Sequence, residues 1–403
     1  MYLQHSGIVT LKFANYNAIL SYFEQGLGKE RSFDMRIPGD NPADFLSRIL
    51  PFVEADGARN LNEISRSLHL PYQTLRFRIN NLKEQGLGVL AIPDFDKLGL
   101  ERVRAFFKLS RSIKDVKPFF GGLHQSAGLK IYARMMDQHI FDCEFAIPMG
   151  SLPELKRLFE KLEQMKLVDG ARLKRILWKD VPTFKSQYFD YSKGEWDVDF
   201  SKLTGDPKSI QIPTRSKSTR IDYKDLLLIK ELELNPWIKT IDLSRRVGLQ
   251  VGDVTYHLNN HVFSNGLIKS FRLKWDGTKE AWLKHSIVPT TYVFEGLSDE
   301  DARHAMSILT SLPFIWSHLM TEDGTYLAET LIPVPQYSEA RQYVSNRLRE
   351  VDLSPSQVLE KDWSCLSTFT IPRLLFDRNE DAWSFNADQA LEYTLQMIKT
   401  YSK

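Results

Sequence analysis

The sequence predicts an α+β chain built from two tandem copies of one module, a helical unit with a β-ribbon followed by a βαββαβ domain. Three observations predict it. Short motifs recur in the same order in the two halves at a nearly constant offset. Hydrophobic periodicity passes from helical spacing to strand alternation at matching points of each half. A proline-containing basic stretch, "SKLTGDPKSIQIPTRSKSTR" (201–220), separates them and has neither periodicity. With 403 residues, 42% of them hydrophobic, the chain can fill more than one core.

The repeats persuade by their order. "NEISRSLHL" (62–70) aligns with "IDLSRRVGL" (241–249), so Ile64, Ser65, Arg66 and Leu70 fall on Leu243, Ser244, Arg245 and Leu249. "TLRFRINNL" continues onto "DVTYHLNNH", placing Asn80-Asn81 on Asn259-Asn260, and one inserted residue later Gly86-Leu87 meets Gly266-Leu267. Downstream, "MMDQHIFDCEFAIP" (135–148) parallels "MTEDGTYLAETLIP" (320–333). Each copy then closes on Phe-Asp, five residues and Trp: Phe189, Asp190, Trp196 and Phe376, Asp377, Trp383.

Residues 1–40 have no counterpart in the second copy; "GIVTLKF" reads as a strand and "YNAILSYFEQGLG" as a helix closed by glycine. The helical unit of copy one (41–92) starts with "NPADFLSRILPFVEADGA", a helix expected to break near Pro51. "NLNEISRSLHL" is a short helix capped by Asn60, with Glu63 at capping-box spacing. Pro71 opens a third helix, where its missing N–H does no harm, and Gly86 closes it. "LGVLAIP" then alternates as a strand. That order is a winged helix-turn-helix.

In residues 93–200, "VRAFFKLS", "LKIYARMMD", "HIFDCEFAIP" and "RLKRILWKDV" read as strands, with helices at "SIKDVKPFFGGLHQSAG" and "SLPELKRLFEKLEQM". Such a βαββαβ order is ferredoxin-like, and the helix-free face of its sheet invites sheet-to-sheet pairing. Residues 221–280 and 281–385 repeat the two parts, and 386–403 read as a terminal helix. The stretch 201–220 carries five cations against one aspartate, a net +4, and is expected to be a solvated tether.

On the third helix of copy one, Leu75, Ile79 and Leu82 share one side at ~100° per residue and form the stripe to be buried. Gln73, Phe77 and Asn80 lie opposite, with Arg76 beside them and Thr74 on the other flank. These donors suit base edges and phosphates of double-stranded DNA. Base contact is expected of Gln73 and Arg76, and less directly of Asn80; Arg66 and Arg78 either hold phosphates or pack the motif. In copy two the outer positions become Gly252, Thr255, Tyr256 and Asn259, and no cation remains there. Its positive charge moves to Arg245 and Arg246 and to the strand residues Lys269, Arg272 and Lys274, an arrangement able to grip a backbone. Winged helices also dock proteins, so a protein-interaction scaffold is the alternative.

Net charge is +2, so attraction to nucleic acid must come from where charge sits. Two cysteines, Cys143 and Cys365, exclude a disulfide framework and a zinc finger. His257 and His261 are spaced i,i+4, but no third ligand lies near them in the sequence, so they read as a surface pair and no metal or cofactor is expected. Neither a signal peptide nor a membrane-spanning run is expected, and the expected compartment is a reducing cytoplasm. No P-loop, GxGxxG, HExxH or GxSxG motif stands in a fitting context, so the chain is expected not to be an enzyme.

"TLRFRINNLKEQGL", with "NEISRSLHL" before it, resembles the recognition helix of the Lrp/AsnC (feast/famine) transcriptional regulators, over roughly 41–200 and again 221–385. The resemblance implies that Arg76 and Arg78 sit on the DNA-contacting helix. It also implies that the βαββαβ (RAM-like) domains mediate self-association, within the chain or as a homodimer, and sense a small-molecule effector. The family's Gly-x-Tyr-Asp sensing turn is incomplete here, with His139-Ile140-Phe141-Asp142 in one copy and Gly324-Thr325-Tyr326-Leu327 in the other. Siroheme decarboxylases share this architecture and give the enzyme alternative.

Overall fold

The computed structural model describes residues 42–403 except 59, 85–86, 137–138, 191–194, 211, 213, 276–286 and 402–403. The strand and helix expected within residues 1–40, and the Gly86 cap, lie outside these. The first half contains α1 (Pro42–Asp56), α2 (Leu61–Ser67), α3 (Tyr72–Glu84) and β1 (Leu87–Pro93), then β2 (Leu100–Leu109), α4 (Val116–Ala127), β3 (Leu129–Met135), β4 (Ile140–Pro148), α5 (Leu152–Gln164) and β5 (Val168–Asp180). The short strands β6 (Phe189–Asp190) and β7 (Glu195–Trp196) close it.

The second half follows the same order. It has α6 (Tyr223–Leu234), α7 (Thr240–Val247), α8 (Val251–His257) and β8 (Ile268–Trp275), then β9 (Ile287–Phe294), α9 (Asp299–Ser311), β10 (Ile315–Thr321), β11 (Tyr326–Pro333), α10 (Val334–Glu350) and β12 (Gln357–Thr368). Strands β13 (Phe376–Asp377) and β14 (Ala382–Trp383) precede the last helix, α11 (Ala387–Tyr401). Corresponding residues make corresponding contacts. Ser65 Oγ donates to the Leu70 carbonyl and Ser244 Oγ to that of Leu249, both at 2.6 Å. Phe189 meets Trp196 edge-on at 5.3 Å, and Phe376 meets Trp383 at 5.0 Å. The residue added in copy two is taken up by π-helical turns over Leu258–Phe263, directly after α8.

Helix α1 runs unbroken through Pro51, contrary to the expected break. Phe45, Leu46, Ile49 and Val53 form its buried stripe. Burying each is worth about 1.5–3 kcal/mol, against roughly 3 kcal/mol for an interior proline. The ribbons also differ from expectation. Each half supplies one strand, and β1 pairs antiparallel with β8, from Leu87 opposite Trp275 to Ala91 opposite Phe271. A lone strand would leave its hydrogen-bonding edge open, and each covers the other's. Trp237 Nε1 donates to the Gly57 carbonyl at 2.5 Å, and Lys83 Nζ lies 3.7 Å from the Trp237 ring. Phe45 and Leu75 of one helical unit share a single core with Val254 and Phe271 of the other.

The eight long strands close into a barrel in the order β10-β11-β9-β12-β3-β4-β2-β5. Each half contributes four adjacent strands, so the expected pairing of helix-free faces occurs within the chain. The seams are β12–β3, with Asp362 opposite Arg134, and β5–β10, with Leu319 opposite Lys179. Along β2, Val103, Ala105 and Phe107 pack in the core shared with α4 and α5, while the alternate residue Arg104 meets groups from the other sheet.

A closed ring of charge fills part of this interior. Arg104 pairs with Asp142 and, at 2.7 Å, with Glu329; Lys179 Nζ lies 2.6 Å from Glu144; Lys361 Nζ lies 2.6 Å from Glu329 and 2.9 Å from Asp142. Ser317 Oγ donates to Glu329 as well. Burial alone would raise the Glu329 carboxyl, but Arg104, Lys361 and Lys179 outweigh it and hold the group well below its usual range. Next to the ring, Ile176, Val293, Leu319 and Leu327 form an apolar plug.

The stretch 201–220 exposes most of its described side chains to solvent, as expected of a tether, but is anchored at a few points. Leu203 is buried among side chains of α9 and α10. Ser216 Oγ donates to Asp94 at 2.9 Å and Thr219 N–H to the Lys97 carbonyl at 2.7 Å. Its apolar anchors, Leu203 and Ile210, are too far apart to register as a period. Helix α11 lies across α4, where Gly122 permits contact: a Cβ there would stand 2.8 Å from Thr394 Cα.

Two outcomes follow from this packing. Gly122→Ala forces α11 outward and should lower stability by about 1–3 kcal/mol, read as a reduced thermal midpoint; an unchanged midpoint would contradict the close approach. Glu329→Gln should cost about 3–5 kcal/mol at neutral pH by leaving cations unbalanced. Because the folded-state pKa of Glu329 is depressed, its contribution is present above the unfolded glutamate value of ~4.3 and is lost as pH falls through the folded value. Urea midpoints of parent and variant should therefore differ at neutral pH and converge in acid.

Candidate functional site

Among the described residues nothing covers the outer face of α3. Leu75, Ile79 and Leu82 are buried, while Gln73, Arg76, Phe77 and Asn80 are exposed on the opposite side, Phe77 at 60%. Thr74 is half-buried, and Arg66 on α2 is exposed, its Nε donating to the Asn62 carbonyl at 3.4 Å. Arg78 is buried with its guanidinium 5.3 Å from the Phe45 ring, so of its two expected roles it fills the packing one. In the second unit Arg245 is exposed 3.5 Å from Asp242, and Lys269 is exposed. Arg272 turns inward: Nε donates to the Val181 carbonyl at 2.8 Å and Nη1 lies 3.5 Å from Glu54. Arg246 sits 3.3 Å from Glu231, and the Lys274 side chain lies outside the described residues. The second unit thus presents less positive surface than its sequence promised.

Cations gather elsewhere. A cleft of about 300 Å³ is lined by Tyr223, Leu227, Lys230 and Glu231 of α6, Arg246 and Val247 of α7, and Arg373 and Arg378 from the segment after β12. Helix α6 turns Leu226, Ile229 and Leu232 into the core, which leaves Tyr223, Leu227 and Lys230 on the outer face at helical spacing. The 371–383 segment is tied to that helix. Ile371 N–H donates to Glu233 at 2.7 Å, Tyr223 N–H donates to Asp381 at 3.3 Å, and Arg378 stacks 4.3 Å from the Tyr223 ring. Burial lowers the Lys230 pKa, Arg373 lowers it further, and Glu231 and Glu233 act in the opposite direction. Four cations face one carboxylate here, an arrangement that attracts an anion.

The expected DNA-contacting residues and this cleft do not coincide. Of the twelve residues singled out from the sequence, Arg246 alone lines it. Lys230, Arg373 and Arg378 were missed because they lie about 140 residues apart in sequence and neither segment is basic by composition. The single sequence signal was Lys230 directly before Glu231, on a helix that also carries Lys224, Asp225 and Glu233, which is too common to single out.

No family model matches this chain, and no curated protein does. Solved structures do. A siroheme decarboxylase, NirDL, is similar over 90% of this chain and 100% of its own, with a TM-score of 0.51 and 11% identity. The same enzyme in complex with an iron-uroporphyrin III analogue gives a TM-score of 0.51 and 12% identity over 90% of this chain and 100% of its own. E. coli AsnC matches 36% of this chain and 95% of its own at 14% identity, with a TM-score of 0.27 that carries no weight. The likeness to NirDL is one of fold. It corrects the expectation that this chain is not an enzyme, because the fold that matches nearly all of it is an enzyme's. Among the described residues no helix is long and apolar enough to cross a membrane.

Proposed function

We propose that this chain is an enzyme that takes a polycarboxylate substrate of the iron-tetrapyrrole class into the cleft between α6, α7 and residues 373–378. The observation that carries this reading is the charge of the cleft, in which Lys230, Arg246, Arg373 and Arg378 face the lone carboxylate of Glu231. Neighbouring cations repel one another, and carboxylates placed among them remove that repulsion. Leu227 and Val247 offer apolar contact to a flat aromatic body. A cleft of about 300 Å³ accepts the carboxylate-bearing edge of such a ligand.

The fold shared with a siroheme decarboxylase supports one class of reaction. In it the bond from carbon to carboxylate breaks, CO₂ leaves, and the electron pair left on carbon takes up a proton. We assign that proton to Lys230, the cleft cation whose pKa burial and Arg373 lower. On the same reading the helical units are winged helix-turn-helices and the βαββαβ units are ferredoxin-like domains, the product of a tandem duplication with boundaries near 41–92, 93–200, 221–280 and 281–385.

A second reading is favoured by a different surface. Gln73, Arg76, Phe77 and Asn80 form an exposed, donor-bearing face on α3, and the shared core holds both helical units at a fixed spacing. Duplex DNA is the partner this face suits.

Each reading has its own test. Siroheme or iron-uroporphyrin added to the parent should shift the absorbance of the porphyrin, and anaerobic incubation with siroheme should yield products lighter by CO₂. Arg373→Ala should weaken binding about 10–100-fold, the loss of one charge-assisted hydrogen bond of ~1.5–3 kcal/mol. Undiminished binding by that variant, or none by the parent, removes the cleft from consideration. For the second reading, duplex affinity should fall steeply with salt, and Arg76→Ala should cost ~1–3 kcal/mol at one base pair in a competition against randomised sites. A parent with no salt-sensitive affinity for duplex DNA would rule that reading out.

A further inference from the structure

The histidine pair that the sequence leaves as a surface feature is only partly on the surface. His257 is buried at the end of α8, and His261 follows on the π-helical turns with about a third of its side chain exposed. Both rings turn toward the first turn of α6. His257 Nδ1 lies 2.8 Å from an Asp225 oxygen and 3.7 Å from Asp222, and His261 Nδ1 lies 3.2 Å from Asp225. Donor atoms of all four side chains lie within 4.8 Å of one another.

A hydrogen-bonded helix junction needs one acceptor and one donor. Here two carboxylates meet two imidazoles, and Asp225 is almost completely buried. Among the described residues no lysine or arginine is paired with either aspartate, and the carboxylate of Asp225 is buried against the two imidazoles. A divalent cation balances that carboxylate. Four ligands about 2.0–2.2 Å from a zinc-sized ion stand roughly 3.4 Å apart; the three His–Asp separations are 2.8, 3.2 and 3.7 Å, and all four donor atoms lie within 4.8 Å, a spread that small side-chain shifts bring onto an ion. Imidazole with carboxylate is a donor set for first-row transition metals, not for calcium or magnesium.

The other copy shows that the fold does not require this cluster. The positions matching His257 and His261 are Arg78 and Leu82, and Arg78 is packed against the Phe45 ring. Copy one closes the same junction with a cation on an aromatic face. Only copy two fills it with metal donors, and its π-helical turns, which copy one lacks, place His261 beside His257.

We infer that Asp222, Asp225, His257 and His261 form a binding site for a divalent transition-metal ion of the zinc class. The ion fastens the start of α6 to the end of α8 and closes the second helical unit. Asp222 also caps α6, its Oδ1 accepting the Asp225 N–H at 2.9 Å, which leaves its second oxygen for the ion.

The full chain, stripped with a chelator, is titrated with Co²⁺, whose visible d–d bands report a protein-held ion, and Zn²⁺ is then added in competition. One ion per chain should bind, Zn²⁺ should bleach the bands, and Zn²⁺ should raise the thermal midpoint. His261→Ala is the informative variant because the side chain is partly exposed and its loss leaves the fold intact. It should weaken Co²⁺ binding at least ~100-fold and abolish the Zn²⁺-induced rise. The chain has nine histidines, so adventitious binding elsewhere would survive in that variant unchanged. Parent-like affinity in His261→Ala, or a parent that gives no Co²⁺ bands, would overturn the inference and leave protonated histidines as the counter-ions.

Discussion

Arg104, Asp142, Glu144 and Lys179 from one half of the chain, locked to Glu329 and Lys361 from the other, hold the barrel in a single register. Removing such ions from water costs several kcal/mol apiece, and only near-complete pairing offsets it. The ring is therefore best understood as a specificity device. A one-residue slip along either seam would turn every side chain of a strand to the other face, aiming Arg104 or Glu329 into the apolar layers beneath the helices. The registers on which Arg134 faces Asp362 and Leu319 faces Lys179 are the ones that let all six charges find partners.

The position of the cleft follows from that closure. Strand β3 carries Lys130, whose Nζ lies 2.8 Å from Glu233 on α6, and the same glutamate accepts the Ile371 N–H just beyond β12. Strands β3 and β12 are partners at a seam, so joining the sheets brings α6 and the 371–383 segment together. Arg373 and Arg378 then come to rest opposite Lys230 and Arg246. Strands β1 and β8 complete each other and merge the two helical units into one core, which includes α6. Residues 42–403 consequently form one compact unit in which the polar sites depend on long-range contacts.

That dependence separates what the sequence disclosed from what it hid. Helical and strand periods, caps such as Asn60 and the Phe-Asp-x5-Trp closures are local, and each was legible. The buried seam of α3 and its exposed Gln73, Arg76, Phe77 and Asn80 followed from angular spacing alone. Arg104, Glu144 and Lys361 went unread because a charge at alternate strand positions ordinarily marks a wet face, and here that face meets an equally charged partner. The same blindness hid the acids beside His257, which lie on α6 more than thirty residues upstream. Pro51 erred in the opposite sense: a local rule for helix breaking yielded to four buried apolar side chains.

The two halves have a similar apolar skeleton and differ in polar chemistry. Ser65 and Ser244, or Trp196 and Trp383, make equivalent contacts, so backbone and core demand the same residues twice. Positions that the skeleton leaves unconstrained differ between the halves. Copy one sets Arg78 on Phe45 and exposes Arg76, whereas copy two gathers Asp222, Asp225, His257 and His261 at the matching junction and a cationic cleft on the far side of the same helix. Tyr223, which stacks with Arg378 in the cleft, directly follows Asp222 on α6. Anything that anchors the first turn of α6 therefore also anchors one wall of the cleft, and the chemistry of copy two converges on a single helix.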